Sequence, residues 1–249
     1  EAGKGTDRGL YDLNTFTTDE AILPTREGDW YDGGLWQGLF KHDWGTKNDL
    51  VKGSWDYLYR VVALSNTSLD KLKEILENDP QNKVVPGYIS EVRAFRAMYY
   101  YYLLDLFARV PLVTSSTMAM EDVKQSERSA VFNFVWTELQ ESVADLSDAH
   151  SNLTGEYYGR MTKPVAYFLL AKLALNAEVY MDDNWIDATK LDGKNIKLIV
   201  DGTEMNAWQA TIAYCDKIKA LGYDLEKKFE ANFSLKNESS VENIFTIPM

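Results

Sequence analysis

The sequence predicts an all-α fold in which degenerate tetratricopeptide-like helix pairs are joined by long loops. Three observations predict it. Through most of residues 49–221 the apolar side chains recur in steps of three and four, the spacing of one helix face. Strand-like runs are confined to "IKLIV" (196–200) and "NIFTI" (243–247). The connections between helices differ widely in length, which rules out a strict repeat of about 34 residues but not irregular stacking of helix pairs.

Residues 1–47 read as irregular, rich in glycine, polar and aromatic side chains. The first long helix follows. Val51, Trp55, Leu58, Val62, Ser65, Leu69, Leu72 and Leu76 trace its buried face, and Asn78-Asp79-Pro80 ends it. A second helix covers 90–108, with Val92, Phe95, Tyr99, Tyr102 and Leu106 as its stripe. From Ala97 onward it is apolar nearly all round, which predicts burial between other helices; Pro111 stops it. A third helix spans 130–146 with Ser129 as its N-cap, and Phe132, Val135, Leu139, Val143 and Leu146 facing inward. A fourth, 163–181, starts after Thr162 with Pro164 in its first turn. A fifth runs from Asn206 to a left-handed stop at Gly222. The expected pairs are 49–78 with 88–108 and 130–146 with 163–181, the helix at 206–221 opening a third.

A chain of 249 residues suffices for one large domain or two small ones, and 45% hydrophobic content supplies a core without staples. The net charge of −12 argues against nucleic acid and anionic membrane as partners, because both demand clustered Lys and Arg. Cys215 is the only cysteine, so no internal disulfide forms, and its helical position reads as a half-buried thiol. No apolar run reaches the length of a membrane-spanning helix.

Catalytic patterns are missing. His42 and His150 are the only histidines, and HExxH, cysteine–histidine metal spacings and GxSxG do not occur. The expectation is a protein that is not an enzyme, with no cofactor and no catalytic metal. The acidic loop "MDDNWIDATKLDG" (181–193) is the candidate for a structural Ca²⁺, through Asp182, Asp183 and Asp187; the competing reading is a solvated loop.

The stretch "DWYDGGLWQGLFKHDW" (29–44) concentrates three of the seven tryptophans around two adjacent glycines. Indole faces cover the C–H faces of sugar rings, and neighbouring carboxylates and arginine hydrogen-bond the hydroxyls. Arg26, Asp29, Trp30, Asp32, Trp36 and Trp44 are therefore candidate ligand-binding residues. The competing reading makes the tryptophans anchors that pin a long loop to the helices. Flanked by aspartates, Trp30 is the better groove residue; Trp36, between Leu35 and Leu39, is the better anchor. Tyr157, Tyr158 and Trp185 are further loop aromatics.

Four segments together resemble the N-terminal half of the SusD-like (RagB/SusD) family. They are "TDEAILPTREGDWYDGGLW", "EVRAFRAMYYYYLLDLFARVPLV", "MTKPVAYFLLAKLALNAEVY", and "WQATIAYCDKIKALGYDL" continuing to "SSVENIFTI". Glu27 and Ala108 stand where the family's pattern has glycine, and Pro164 is unusual. The resemblance implies a Bacteroidetes nutrient-uptake lipoprotein of polysaccharide utilisation, anchored by lipid at the outer-membrane surface. It implies non-catalytic binding of an oligosaccharide or polysaccharide and delivery to a SusC-like TonB-dependent transporter. It also implies that residues 1–249 are an N-terminal helical domain. A lipoprotein signal and first helix would precede Glu1, and a C-terminal half would follow Met249. The alternatives are a helical glycoside hydrolase and a peptide-binding tetratricopeptide-like scaffold.

Overall fold

The structure, a computed structural model, describes residues 9–184 and 186–247. In chain order its helices are α1 (Leu10–Phe16), α2 (Leu35–Phe40), α3 (Asp49–Asn78), α4 (Val85–Phe107), α5 (Arg128–Ser142), α6 (Lys163–Leu175), α7 (Ala177–Tyr180) and α8 (Ala207–Ala220). Between α7 and α8 lies a ribbon of two antiparallel strands, β1 (Lys197–Val200) and β2 (Thr203–Asn206). The all-α class stands. Two compact units divide between Val61 and Val62, within α3. Among the described residues no helix is long and apolar enough to cross a membrane.

In the larger unit α4 packs most extensively on α5, and α6 on α8; α5 and α6 touch more lightly. The expected pairing of α5 with α6 is thus secondary, and α8 completes a pair with α6 instead of opening a third. Small residues make this close approach feasible: Ala166, Ala174, Ala207 and Ala210 are fully buried, beside Leu170 and Leu173. Each buried Leu contributes roughly 1.5–3 kcal/mol through removal from water.

The helix caps explain where the boundaries fall. α4 starts earlier than its stripe suggested, because the Asn82 carboxamide accepts the N–H groups of Val84 and Val85 and Pro86 fits the first turn. Its most buried residues are Ala94, Ala97, Tyr100, Leu103 and Leu104. Val92, Phe95, Tyr102 and Leu106 are only half-buried, so the expected stripe is rotated from the true one. A helix apolar nearly all round carries little periodic information about which side faces inward. Ser129 is not the cap of α5: Glu127 occupies that position, and the Asp183 carboxylate accepts from the Ser129 N–H at 2.8 Å and its hydroxyl at 2.5 Å. The fourth helix breaks at Asn176, whose side-chain amide donates back to the Lys172 carbonyl. α8 begins with a capping box between Asn206 and Gln209, and Gly222 follows it at φ +93°.

Two strand readings divide. "IKLIV" supplies β1, and its partner is the polar "TEMN". Asp201 (φ +49°) and Gly202 (φ +78°) form the turn between them, the left-handed pair that closes a two-residue hairpin. Residues 243–247 form no strand. Cys215 is exposed rather than half-buried, since it lies off the Tyr214–Ile218 face.

One polar group organises the larger unit. Arg96 is 5% exposed. Its guanidinium donates to Asn66 of α3 (2.7 Å), to the Thr114 carbonyl (3.0 Å) and to Glu138 of α5 (2.5 Å). Arg93 donates to the other oxygen of Glu138. The chain after α4 closes over this network: Val113 accepts from Asn66 and Tyr100 and donates back to the Tyr100 hydroxyl. Burial pushes that hydroxyl's pKa up to about 12.

Ala108, just after α4, sits at φ +59°, ψ −79°. Side chains clash with the backbone in this left-handed region, and glycine avoids the clash. Ala108→Gly should therefore stabilise the protein by about 1 kcal/mol, after allowing for glycine's larger unfolded-state entropy. A higher midpoint in urea unfolding with an unchanged slope is the expected readout.

Candidate functional site

The aromatic stretch lies in the smaller unit. There the backbone amides and carbonyls of Arg26 and Asp29 pair (3.1 and 2.8 Å), forming a tight turn over Glu27 and Gly28. Glu27 adopts φ +55°, as Ala108 does at +59°, so both positions where the resemblance has glycine are left-handed. Trp30 (φ +60°), Asp32 (+40°), Gly33 (+68°) and Gly34 (+86°) continue the left-handed course. The two glycines turn the chain into α2; Gly34 serves as its N-cap. So the region is not wholly irregular. α1 and α2 flank the turn, and α2 buries Trp36 (4% exposed) and Leu39.

Buried Trp36 sets the geometry. Its indole N–H donates to the Asp32 carboxylate at 2.7 Å. The Phe16 ring of α1 meets it edge-on at 5.5 Å, and the Trp30 ring at 6.0 Å. The Gln37 amide reaches back to the Thr25 hydroxyl (2.8 Å) and the Trp30 carbonyl (3.2 Å). Trp30 itself is 53% exposed, with Tyr31 beside it 57% exposed. The result is one indole, Trp30, braced edge-on by a buried one and open to water.

Next to this display lies an open cleft of about 330 Å³. Asp32, Gly33 and Gly34 form one side, and Asp43, Trp44, Lys47 and Asp49 also line it. Trp44 is 40% exposed and meets His42 edge-on at 5.5 Å. His42 Nε2 hydrogen-bonds the Thr17 carbonyl at 2.6 Å, which ties the turn after α2 to the end of α1. Asn48 lines the cleft and caps α3, accepting from Leu50 and Val51 N–H.

Of the residues singled out in sequence, Asp32 and Trp44 meet in this cleft. Trp30 is displayed nearby in sequence, and Trp36 presents no face to solvent. Arg26 and Asp29 stay exposed on their turn. Asp43, Lys47, Asn48 and Asp49 were missed as lining residues, although Gly45 and the Asn48 cap mark a chain bend at the start of a periodic run. In the acidic loop, Asp183 accepts from Ser129, Asp182 from the Asn184 N–H, and Asp187 from Asn184 and Thr189. Among the described residues no three acidic, histidine or cysteine side chains converge as a metal site. Tyr157 and Tyr158 lie in the larger unit, where the Arg160 guanidinium sits 4.8 Å from the Tyr157 ring. Trp185 lies outside the described residues.

A second concavity, about 670 Å³, occurs in the larger unit along α8 and residues 223–245. Phe168, Leu225, Phe229 and Phe233 line it and are exposed. At its edge the Glu226 N–H and the Asn232 amide hold the Glu242 carboxyl below the usual carboxylate range.

Residues 8–175 match the SusD-like family described as "Starch-binding associating with outer membrane". Over 199 residues the chain is 24% identical to a "SusD-like protein" of Bacteroides ovatus, covering 79% of this chain and 32% of that one. It is 23% identical over 180 residues to "Starch-binding protein SusD" of Bacteroides thetaiotaomicron, covering 72% and 30%. The chain thus spans about a third of the length of these curated relatives. A solved "Laminarin binding SusD-like protein" superposes with a TM-score of 0.69 at 22% identity, over 94% of this chain and 44% of that one. That superposition is a likeness of fold.

The packing around Trp36 predicts two separable losses. Trp36→Ala should cost about 3–5 kcal/mol, the range for emptying a buried aromatic site. Asp32→Ala leaves the buried indole N–H without its acceptor and should cost about 1–3 kcal/mol. Thermal melting followed by near-ultraviolet circular dichroism measures both.

Proposed function

The chain belongs to the SusD-like family, and on that premise we propose that it binds glycan without transforming it. One observation carries the reading: Trp30 is held in a left-handed conformation, braced by buried Trp36, with half its surface open to water. A non-glycine residue at positive φ costs free energy, and so does an aromatic face left in water. Both are expected where an aromatic platform must be ready for a ligand. The cleft lined by Asp32 and Trp44 offers a second aromatic face and carboxylate acceptors for sugar hydroxyls. The relatives' names, starch-binding and laminarin-binding, support a carbohydrate cargo.

In this reading the protein works at the cell surface, held to the outer membrane by an N-terminal lipid. It captures an oligosaccharide and passes it to a SusC-like TonB-dependent transporter. The family's description as associating with the outer membrane supports the location. Capture ahead of a transporter requires reversible binding, with no bond made or broken.

Trp30→Ala tests the platform. A stacked aromatic contributes on the order of 1 kcal/mol beyond its buried area, so glycan affinity should fall several-fold. Because the ring is half exposed, the melting temperature should hardly move. Calorimetric titration with starch- and laminarin-derived oligosaccharides checks the first, and a melting curve the second. Unchanged affinity in Trp30→Ala would remove this stretch from the binding site.

A further inference from the structure

We infer that Gln37 is a positioning residue for glycan binding: its side-chain amide holds Trp30 in place before a ligand arrives. The inference rests on the glycan-binding reading and adds the residue on which the aromatic platform depends. Trp30 stands at φ +60°, a course that a side-chain-bearing residue leaves unless something restrains it. The peptides on either side are held by backbone bonds: Asp29 pairs with Arg26, and the Gly34 N–H donates to the Tyr31 carbonyl at 2.6 Å. Trp30 itself has one hydrogen-bond partner among the described residues. It is Gln37, whose Nε2 donates to the Trp30 carbonyl at 3.2 Å. The same Nε2 donates to the Thr25 hydroxyl at 2.8 Å and lies 3.4 Å from the Leu23 carbonyl. One amide of α2 thus ties both ends of the segment 23–30, and the neighbouring Trp36 supplies the ring contact to Trp30.

The other atom of that amide shows that its donors are what matters. Gln37 Oε1 is buried and has no hydrogen-bond partner among the described residues. A buried acceptor left bare costs stability, and an apolar side chain of equal length would avoid that cost. Turning the amide over would set Oε1 against the Leu23 and Trp30 carbonyls, so only one orientation serves. Thr25 and Trp30 are exposed, so water replaces a lost donor there with little loss of stability. What Gln37 secures is the conformation of Trp30 rather than the fold. Without the amide the exposed ring is free to leave its left-handed course. Only the molecules that keep that course then bind as before, and the apparent affinity falls in proportion to their fraction.

Two variants test this in the whole protein. Gln37→Met keeps the length and removes the donors; Gln37→Glu keeps the shape and sets a carboxylate against the same carbonyls. Either suffices if the other fails to fold. Without ligand, ¹⁵N relaxation should show the Trp30 backbone order parameter falling from about 0.85 to below about 0.6 while that of Trp36 holds. Calorimetric titration with starch- and laminarin-derived oligosaccharides should give several-fold weaker binding, up to but not beyond the loss in Trp30→Ala, with a nearly unchanged melting temperature. In a Trp30→Ala background the same substitution should change affinity no further, because Gln37 acts through Trp30. A Trp30 that stays rigid in the variants, or one that becomes mobile with affinity unchanged, overturns the inference. So does an equal loss of affinity in the Trp30→Ala background, the mark of a merely structural role. If Trp30→Ala leaves affinity unchanged, or no probe binds the unaltered protein, the platform reading falls and takes this inference with it. The relaxation result, read without ligand, separates that failure from a failure of Gln37 to hold the ring.

Discussion

A donor withdrawn from water must find an acceptor, and in each unit one such donor fixes what surrounds it. In the larger unit it is the Arg96 guanidinium. Its acceptors come from α3, from α5 and from the segment that follows α4, so those pieces can be arranged in few ways once Arg96 is buried. Removing one partner of such a pair generally costs about 3–5 kcal/mol, because the other charge is left buried. In the smaller unit it is the Trp36 indole N–H. The apolar body of Trp36 is buried in the core, and its one polar atom requires Asp32 four residues earlier.

The second requirement has consequences along the chain. A bond from a side chain in α2 to Asp32 needs the backbone between them to fold back sharply. Gly33 and Gly34 supply that reversal at little cost. Asp32 and Trp30 also adopt positive φ, where side chains are strained, so the turn is a compromise rather than a relaxed loop. Its outcome is a pair of rings with opposite fates, one indole buried and one displayed on top of it. The same turn places Asp32 on the edge of the acidic cleft. The core contact and the exposed aromatic face are thus two sides of one local structure.

How much of this was legible in the sequence depended on the kind of signal. α3 and α8 carry one clear stripe each, and Leu58, Val62 and Tyr214 are buried as the periodicity required; Phe132, Leu139 and Leu170, read as inward-facing in α5 and α6, are buried too, although α6 is buried nearly all round. α4 is apolar around its circumference, so its existence was legible and its inward face was not. Asp201-Gly202 is a readable hairpin signal, but β2 is polar and carries no strand pattern of its own. The cap on α5 could not be read locally: it comes from Asp183, 54 positions from Ser129. α2 was hidden by its two preceding glycines, which read as breakers although they act as its entry turn. In the candidate site the aromatic residues were evident from their density. The cleft was not, since Asp43, Lys47 and Asp49 share it with residues 32–38, a juxtaposition that no local pattern encodes.

The central claim is that the stretch presents some tryptophans to a glycan and keeps another in the core. The direct measurement follows the indole N–H resonances of ¹⁵N-tryptophan-labelled protein while a neutral oligosaccharide that binds is titrated in. The account predicts that the Trp30 and Trp44 resonances shift in a saturable manner and that the Trp36 resonance, held on Asp32, stays nearly in place. Saturable shifts confined to tryptophans outside this stretch, with Trp30 and Trp44 unmoved, would contradict it.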